Sequence, residues 1–304
     1  MFKYTLDNKR YHTFNYFLKN KFNKKVFKVA LDANFSCPNK KTGGCIFCSN
    51  GSKSNIVNKE ESILKQFENV KNIMLKKWPD SYYIPYLQAN TNTYDSLENL
   101  KKIYEPLLKI DNCVGLSIAT RPDALSDEII DYLEDISKRT FLTVELGLQS
   151  MKEETLKLIN RGHDLKTFED AVKKLKKKNI FVVVHIINGL PGETKEDMVN
   201  TAKYLNSLNI DGIKIHMLSI TKNTVLATMY QNNPFHVLTK DEYIDIVCDQ
   251  LEVLDPKIVI ERITGDPIVD ELIEPKWLVK KFVVLNDIDK EMKKRNIYQG
   301  SKLN

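Results

Sequence analysis

The sequence is organised around Cys37-Pro38-Asn39-Lys40-Lys41-Thr42-Gly43-Gly44-Cys45-Ile46-Phe47-Cys48, a stretch of twelve residues that holds three of the five cysteines. Its spacing, C-x7-C-x2-C, lets three thiolates reach one compact inorganic centre. The glycine pair at 43–44 allows backbone angles that a side chain would forbid, so the loop can bring Cys45 and Cys48 back to Cys37. Three cysteines favour an iron–sulfur cube over a structural zinc site, because zinc usually takes four protein ligands.

The cysteine loop has no fourth ligand near it in sequence, since the closest histidines are His12 and His163. Three thiolates on a four-iron cube would leave one iron free to bind a cofactor. Two alternatives stand beside this interpretation: a zinc knuckle completed by a distant residue, and reduced thiols that share no ligand. Cys113 and Cys248 each lie alone in an apolar pattern and are predicted to be small core residues.

Length and composition favour one large α/β unit. The chain has 304 residues, with 42% hydrophobic and 28% charged residues, and an α/β barrel takes about 250 residues. The sequence shows no signal-peptide core at its start and no apolar run of about 18 residues or more. We therefore expect a cytoplasmic protein without membrane contact, and thiolates kept for a metal centre also favour a reducing compartment.

The first thirty residues carry much of the positive charge. The whole chain has a net charge of +6, and this segment alone holds eight Lys or Arg residues against one Asp. Aromatic residues are interleaved with the basic ones: Tyr4, Tyr11, Phe14, Tyr16, Phe17 and Phe22. Because basic residues attract phosphates and exposed rings stack on bases, one interpretation is an RNA-binding segment. The alternative is a solvated segment whose aromatic rings pack against the barrel.

Strands and helices alternate regularly after this segment. Predicted strands cover 26–31, 82–87, 114–119, 141–146, 180–187 and 213–218, and predicted helices cover 60–77, 96–109, 126–137, 153–160, 167–178 and 194–208. Six units of this βα type imply a parallel sheet. Beyond residue 235 the pattern changes to a helix (239–254), a strand (258–263) and a basic helix (275–295). We therefore predict a basic N-terminal extension (1–25), an α/β core (26–235) and a C-terminal extension (236–304).

Polar residues break the apolar runs where the predicted strands end. They are the cysteine loop, Gln88 to Thr93, Thr120-Arg121, Glu145 with Gln149, His185 with Asn188, and His216. Taken singly, each is more often a hydrogen-bonded loop residue. The carboxyl ends of parallel strands meet at one edge of a sheet, where ligands bind. Their convergence on that edge therefore predicts a site.

With these features the chain resembles the radical S-adenosylmethionine (SAM) superfamily, and in particular its YhcC/YtqA-like branch. The residues that carry the resemblance extend over nearly the whole chain: CPNKKTGGCIFC (37–48), LQANTNTY (87–94), GLSIATRPD (115–123), VELGLQS (144–150), INRGHD (159–164), INGLPGET (187–194), DGIKIHML (211–218) and ITGDPIVDELIEPKW (263–277). The chain departs from the branch in a shorter loop between its first two cysteines.

The resemblance implies a partial (β/α)6 TIM-like barrel with a C-terminal α/β extension. It also implies a [4Fe–4S] cluster on Cys37, Cys45 and Cys48, with SAM bound to the open iron through its amino and carboxylate groups. In such enzymes one-electron reduction cleaves SAM to methionine and a 5′-deoxyadenosyl radical, which takes a hydrogen from the substrate. The cofactors carry this chemistry and the protein positions them.

By position, the resemblance assigns three sets of residues to SAM. The adenine-contacting positions match the backbone of Phe47 and Leu218. The methionine end falls on Gln88, Asn90 and Thr91. Positions near the ribose and carboxylate match Gln149, Arg161 and His185, and Glu145 is counted with them as a polar strand-end residue. No catalytic proton donor is assigned.

The branch suggests tRNA as the substrate, with removal of the carboxymethyl group from 5-carboxymethylaminomethyluridine at the wobble position to leave 5-aminomethyluridine. We expect the enzyme to work with tRNA, a low-potential electron donor and a downstream tRNA methyltransferase. Two alternatives remain open: a radical SAM enzyme that acts on a peptide or small metabolite, and a non-catalytic metal-containing protein that binds RNA.

Overall fold

The structure is a computed structural model that describes residues 2–4, 9–49 and 57–303. Its centre is a sheet of seven parallel strands. In spatial order they are β1 (Lys25–Leu31), β2 (Ser81–Leu87), β3 (Gly115–Thr120), β4 (Phe141–Gln149), β5 (Phe181–Asn188), β6 (Gly212–Met217) and β8 (Val259–Arg262). A short antiparallel pair, β7 (Ile220–Thr221) with β9 (Leu272–Glu274), follows the ends of β6 and β8.

The sheet is strongly curled, so that side chains of its two edge strands meet. Lys28 Nζ on β1 lies 2.6 Å from Oε2 of Glu261 on β8. In a flat sheet these edge strands would be about 29 Å apart, since neighbouring strands are spaced by ~4.8 Å. The predicted partial α/β barrel is therefore confirmed. It has a seventh parallel strand, β8, which we had placed in the C-terminal extension and which pairs directly with β6.

Helices connect the strands, and several of them pack against the sheet. They are α1 (Phe14–Phe22), α2 (Ile63–Leu75), α3 (Leu97–Leu108), α4 (Asp127–Arg139), α5 (Glu153–Leu158), α6 (Leu165–Lys177), α7 (Lys195–Leu205), α8 (Val225–Asn232), α9 (Lys240–Val253) and α10 (Lys281–Lys294). A capping box begins α7, because the side chains of Thr194 and Asp197 each accept a hydrogen bond from the other's backbone N–H. Every helix in the described ranges is too short or too polar to cross a lipid bilayer.

The basic N-terminal segment packs against the amino ends of the strands. Residues 5–8 of the predicted extension lie outside the described residues, but α1 follows them and carries most of the aromatic rings. The ring of Phe17 lies 5.9 Å from that of Phe141 and 5.2 Å from that of Phe181, the first residues of β4 and β5. Phe14 and Phe22 pack in the same small cluster. For this part of the segment the structure supports the packing interpretation.

Gln299 joins the two ends of the described chain at the same face. Its side chain accepts a hydrogen bond from His12 N at 2.7 Å and donates to Asp255 O and Ile258 O, each at 2.8 Å. His12 O in turn accepts from Ile260 N of β8 at 2.8 Å. Gln299 is completely buried. The amino-terminal segment, β8 and the residues after α10 therefore form one connected seam.

Candidate active site

A cavity of about 530 Å³ opens at the carboxyl ends of the first five strands, and its wall includes all three cysteines of the loop. Most of the residues that the resemblance assigned to SAM line it too: Phe47, Gln88, Asn90, Thr91, Glu145, Gln149, Arg161 and His185. The remaining one, Leu218, lines a cavity of about 210 Å³ that shares Phe47, Gln149 and His185 with the first. The structure brings the assigned residues together, and their binding roles stay predictions.

The cysteine loop is held by the segment that follows α5. The side-chain amide of Asn160 donates hydrogen bonds to Thr42 O at 2.9 Å and to Gly44 O at 2.7 Å. Gly44 has a φ of +75°, which glycine adopts without steric cost. The backbone N–H of Ile46 donates to Ile159 O at 3.1 Å. These bonds fix the loop in the folded-back form that its glycine pair predicts.

The sulfur of Cys45 faces two buried hydrogen-bond donors. Asn39 Nδ2 lies 3.5 Å from this sulfur and Arg161 Nη1 lies 3.7 Å from it. The other terminal nitrogen of Arg161, Nη2, donates to Gly147 O at 2.8 Å. Hydrogen-bond donors and a positive charge beside this sulfur suit a cysteine that ligates a metal centre.

In the described part of the chain, no group of three or more His, Cys, Asp or Glu side chains is placed to hold one metal ion. A structural zinc ion collects its ligands around one atom, so the described residues form no closed zinc site.

Three buried polar atoms of the cavity residues have no hydrogen-bond partner among the residues that the structure describes. They are Thr91 Oγ1, Gln149 Oε1 and Arg161 Nε. Buried polar atoms are nearly always hydrogen-bonded, so each of these fits a ligand that brings the missing partner. SAM offers an amino group, a carboxylate and ribose hydroxyls. Together with the thiolates, these atoms make the cavity a chemical fit for both cofactors.

Arg121 is a cavity residue to which the resemblance assigns no role in binding SAM. It is 3% exposed, binds Asp123 through two hydrogen bonds of 2.8 Å, and donates to Arg161 O at 2.8 Å. Burial lowers the pKa of its guanidinium, but Asp123 and the sulfurs of Cys37 and Cys45 outweigh burial and raise the pKa overall. Arg121 therefore stays charged. Its only signal in the sequence is its position directly after β3.

Below the cavity, side chains from several strands meet at the carboxylate of Glu145. Its Oε1 accepts hydrogen bonds from Lys28 at 2.7 Å and Ser117 at 2.8 Å. Its Oε2 accepts from Tyr86 at 2.9 Å and Lys214 at 2.5 Å. Four other strands thus supply a donor to one residue of β4. Both oxygens therefore have partners within the barrel, and Glu145 lines the cavity wall as well.

His185 connects this network to the cavity, since its Nε2 lies 2.7 Å from Oε2 of Glu145. Burial raises the pKa of Glu145, but Lys214 and Lys28 outweigh it and bring the pKa well below its usual value. The carboxylate can only accept, so His185 Nε2 carries a hydrogen. Burial lowers the pKa of His185 and leaves its ring neutral, with Nδ1 as an acceptor. The ring of His216 lies 5.2 Å away.

Gln149 combines an unusual backbone with an unpartnered side chain. Its φ is +75°, and the other described non-glycine residues with positive φ are all Asn, which tolerates this region better. Strained backbone of this kind is common at ligand sites. Gln149 lines both cavities, so this strained residue lies where a ligand can contact it.

We expect Gln149→Gly to weaken SAM binding without lowering stability. The variant loses a hydrogen bond that contributes about 0.5–1.5 kcal/mol, up to roughly a tenfold rise in Kd. Relief of the backbone strain, of order 1 kcal/mol, offsets the greater chain entropy of glycine. SAM titration of the iron-loaded protein and urea unfolding measure the two effects. The Gln149→Asn variant keeps a side-chain amide on a shorter side chain, so its SAM affinity should lie between those of the wild-type protein and Gln149→Gly. Unchanged SAM affinity in both variants would show that Oε1 does not reach SAM.

Two family models match the chain: one described as the Radical SAM superfamily over residues 36–205, and one described as the Radical_SAM C-terminal domain over residues 210–294. Uncharacterized protein YtqA of Bacillus subtilis (strain 168) is 46% identical over 304 residues, which cover 98% of this chain and 94% of that protein. A tRNA uridine(34) acetyltransferase of Methanocaldococcus infernus is 29% identical over 180 residues, or 58% of this chain and 33% of that protein. The solved structure of Methanocaldococcus infernus Elp3 with an N-terminal deletion shares the fold, with a TM-score of 0.68 and 20% sequence identity. The match covers 91% of this chain and 64% of that chain.

Proposed function

Because this chain belongs to the radical SAM superfamily, we propose that it modifies the wobble uridine of tRNA, converting 5-carboxymethylaminomethyluridine to 5-aminomethyluridine. Membership confirms the resemblance seen in the sequence, including the YtqA-like branch. It makes the protein a radical SAM enzyme that uses a [4Fe–4S] cluster and SAM. The proposal goes beyond membership of the superfamily by naming the substrate.

The observation that carries the proposal is the filled interior of the barrel. Lys28, Glu145 and Lys214 occupy the space directly below the cavity and bond to one another across it. A substrate would then enter through the mouth of the cavity rather than through the barrel. A modified base that protrudes from an RNA can present one group at the mouth while the rest of the molecule stays outside, which favours a macromolecular substrate over a small metabolite.

The rim of the cavity suits the group to be removed. Lys40 is exposed there and lines the cavity together with the three cysteines. A carboxymethyl group carries a carboxylate, with which an ammonium forms a charge-assisted hydrogen bond. The similarity to a tRNA uridine(34) acetyltransferase, which extends over more than half of this chain, supports the same class of RNA substrate.

The chain's own residues have the following roles in this proposal. Cys37, Cys45 and Cys48 would hold the cluster, and Gln149 and Arg161 would bind SAM. When bound, these cofactors would supply the radical chemistry that takes a hydrogen from the carboxymethyl carbon, with SAM as the oxidant. Loss of one electron from the substrate and addition of water would then break the C–N bond and release the carboxymethyl group as glyoxylate. A low-potential electron donor supplies the electron, and a methyltransferase acts on the aminomethyl product.

We expect tRNA from a strain that lacks this protein to accumulate 5-carboxymethylaminomethyluridine and to lose 5-aminomethyluridine and its methylated product. Mass spectrometry of nucleosides digested from purified tRNA measures all three. Wild-type protein should restore the profile, whereas the Cys45→Ala variant should not. An unchanged nucleoside profile would reject the proposal, and purified protein with SAM, reductant and candidate peptides would then test a peptide substrate.

A further inference from the structure

The surroundings of Cys45 contain more positive charge than the described residues balance. Arg121 and Arg161 are both buried, with 3% and 6% of their surfaces exposed. Arg121 is paired with Asp123. In the described part of the chain, the hydrogen bonds of Arg161 go to Gly147 O and the Cys45 sulfur, and its Nε has no partner. The two guanidinium groups thus contact one carboxylate.

A buried charge without a counter-charge is strongly destabilising, so a net positive site of this kind implies a negative group that binds there. Cys45 marks where that group lies, because Arg161 Nη1 is 3.7 Å from its sulfur and Asn39 Nδ2 is 3.5 Å from it. A cluster bound by three thiolates carries net negative charge. The arginine pair is therefore placed to complement the cluster as well as the SAM that it binds.

We propose that Arg121 and Arg161, assisted by the side-chain amide of Asn39, raise the reduction potential of the cluster by stabilising negative charge at its Cys45 corner. Reduction adds one electron, supplied by a low-potential one-electron donor, and so adds one negative charge to the cluster. A fixed positive charge stabilises the reduced state more than the oxidised state. Hydrogen bonds to cluster sulfurs and the net charge around them are known determinants of cluster potential. The inference does not depend on the substrate.

The test is a redox titration of anaerobically reconstituted protein without SAM, with dithionite as reductant and the reduced cluster followed by electron paramagnetic resonance. Arg121→Gln and Arg161→Gln should each lower the equilibrium constant for reduction at least tenfold, a shift of about 59 mV for one electron. Arg121→Lys and Arg161→Lys keep the charge and should retain most of the wild-type potential. Lys41→Gln is the matched control, because it removes an exposed cation from the same loop and should leave the potential unchanged.

Iron content is measured first for every variant. A wild-type reduction potential in the iron-loaded Gln variants would overturn the proposal. An equal decrease of the potential in the Lys and Gln variants would also overturn it, since altered packing would then be the cause. If the Gln variants do not hold four irons, the Asn39→Ser variant decides the question. Its reduction potential should decrease by less than is expected for the Gln variants, and an unchanged potential would count against the proposal. A negative result leaves the tRNA nucleoside experiment unaffected, so the two proposals fail separately.

Discussion

Replacing any one of Cys37, Cys45 and Cys48 by alanine is expected to abolish the iron–sulfur absorbance and all SAM cleavage. Each sulfur lines the same cavity, and a cube that already leaves one iron open retains only two protein ligands after the substitution. The loop itself should survive, because Asn160 and the backbone at Ile46 hold it without help from the sulfurs. Iron and sulfide analysis after anaerobic reconstitution measures the loss.

Cys113→Ala is the matched control for these variants. Cys113 lies outside the cavity, its sulfur donates to Gly115 O at 3.2 Å, and burial raises the pKa of its thiol to about 11. It is therefore a protonated, structural cysteine and its replacement should leave four irons per chain. Tightly bound zinc in anaerobically purified wild-type protein, in place of iron, would contradict the assignment of the three loop cysteines.

Glu145→Gln is expected to destabilise the fold by about 3–5 kcal/mol, the range found when one partner of a buried ion pair is removed. The variant keeps the size of the side chain but leaves Lys28 and Lys214 with one buried carboxylate, that of Glu261, between them. Both lysine side chains are almost completely buried, at 13% and 5% exposed, so solvent offers little compensation. Urea unfolding of the cluster-free protein measures the change.

Glu98→Gln provides the comparison at the surface. Glu98 and Lys102 form an ion pair of 2.7 Å within α3, with 78% and 65% of the two side chains exposed. Exposed pairs of this kind contribute from about zero to 1 kcal/mol. A loss for Glu145→Gln no larger than that for Glu98→Gln would show that the barrel network is not a major source of stability.

The same network gives stability a pH dependence of known sign. Because the pKa of Glu145 is lowered well below its usual value in the folded protein, its contribution is fully present above the unfolded pKa of about 4.3. It is lost as the pH falls below that value toward the folded pKa. The free energy of unfolding should therefore decrease less steeply on acidification in Glu145→Gln than in the wild-type protein, and denaturation series at several pH values compare the two slopes.

The regular part of the barrel was predictable because its strands and helices alternate with strong periodicity. Contacts between segments that are distant in sequence are not predictable in this way. The strand at 258–263 is present and joins the sheet through β6, but nothing in its local pattern reports that pairing. The sequence leaves open whether the aromatic rings near the amino end bind RNA or pack against the barrel, and the contacts of Phe17 with the first residues of β4 and β5 support packing. The last helix begins at Lys281 because Lys276–Val279 form a 3-10 turn.

The candidate site was predictable to a similar extent. The three cysteines and the polar strand ends could be found because spacing and position single them out. Lys28 and Lys214 were overlooked, although a charged residue inside an apolar strand is itself a signal that a counter-charge lies within the barrel. Arg121 stands out only as a polar residue at a strand end, and Asn39 carries no signal because its importance depends on its distance from the sulfur of Cys45.

The seam at Gln299 has a consequence for how the chain is made. Synthesis proceeds from the amino end, so residues 10–13 emerge long before β8 and Gln299, the groups to which they bond. Contacts between segments so far apart in sequence form late and slow down folding. Until residues 258–299 have been added, the barrel on the ribosome has an open edge and residues 10–13 lack their partners. A premature stop before Gln299 would leave that seam unclosed, which is a feature that cellular quality control can recognise.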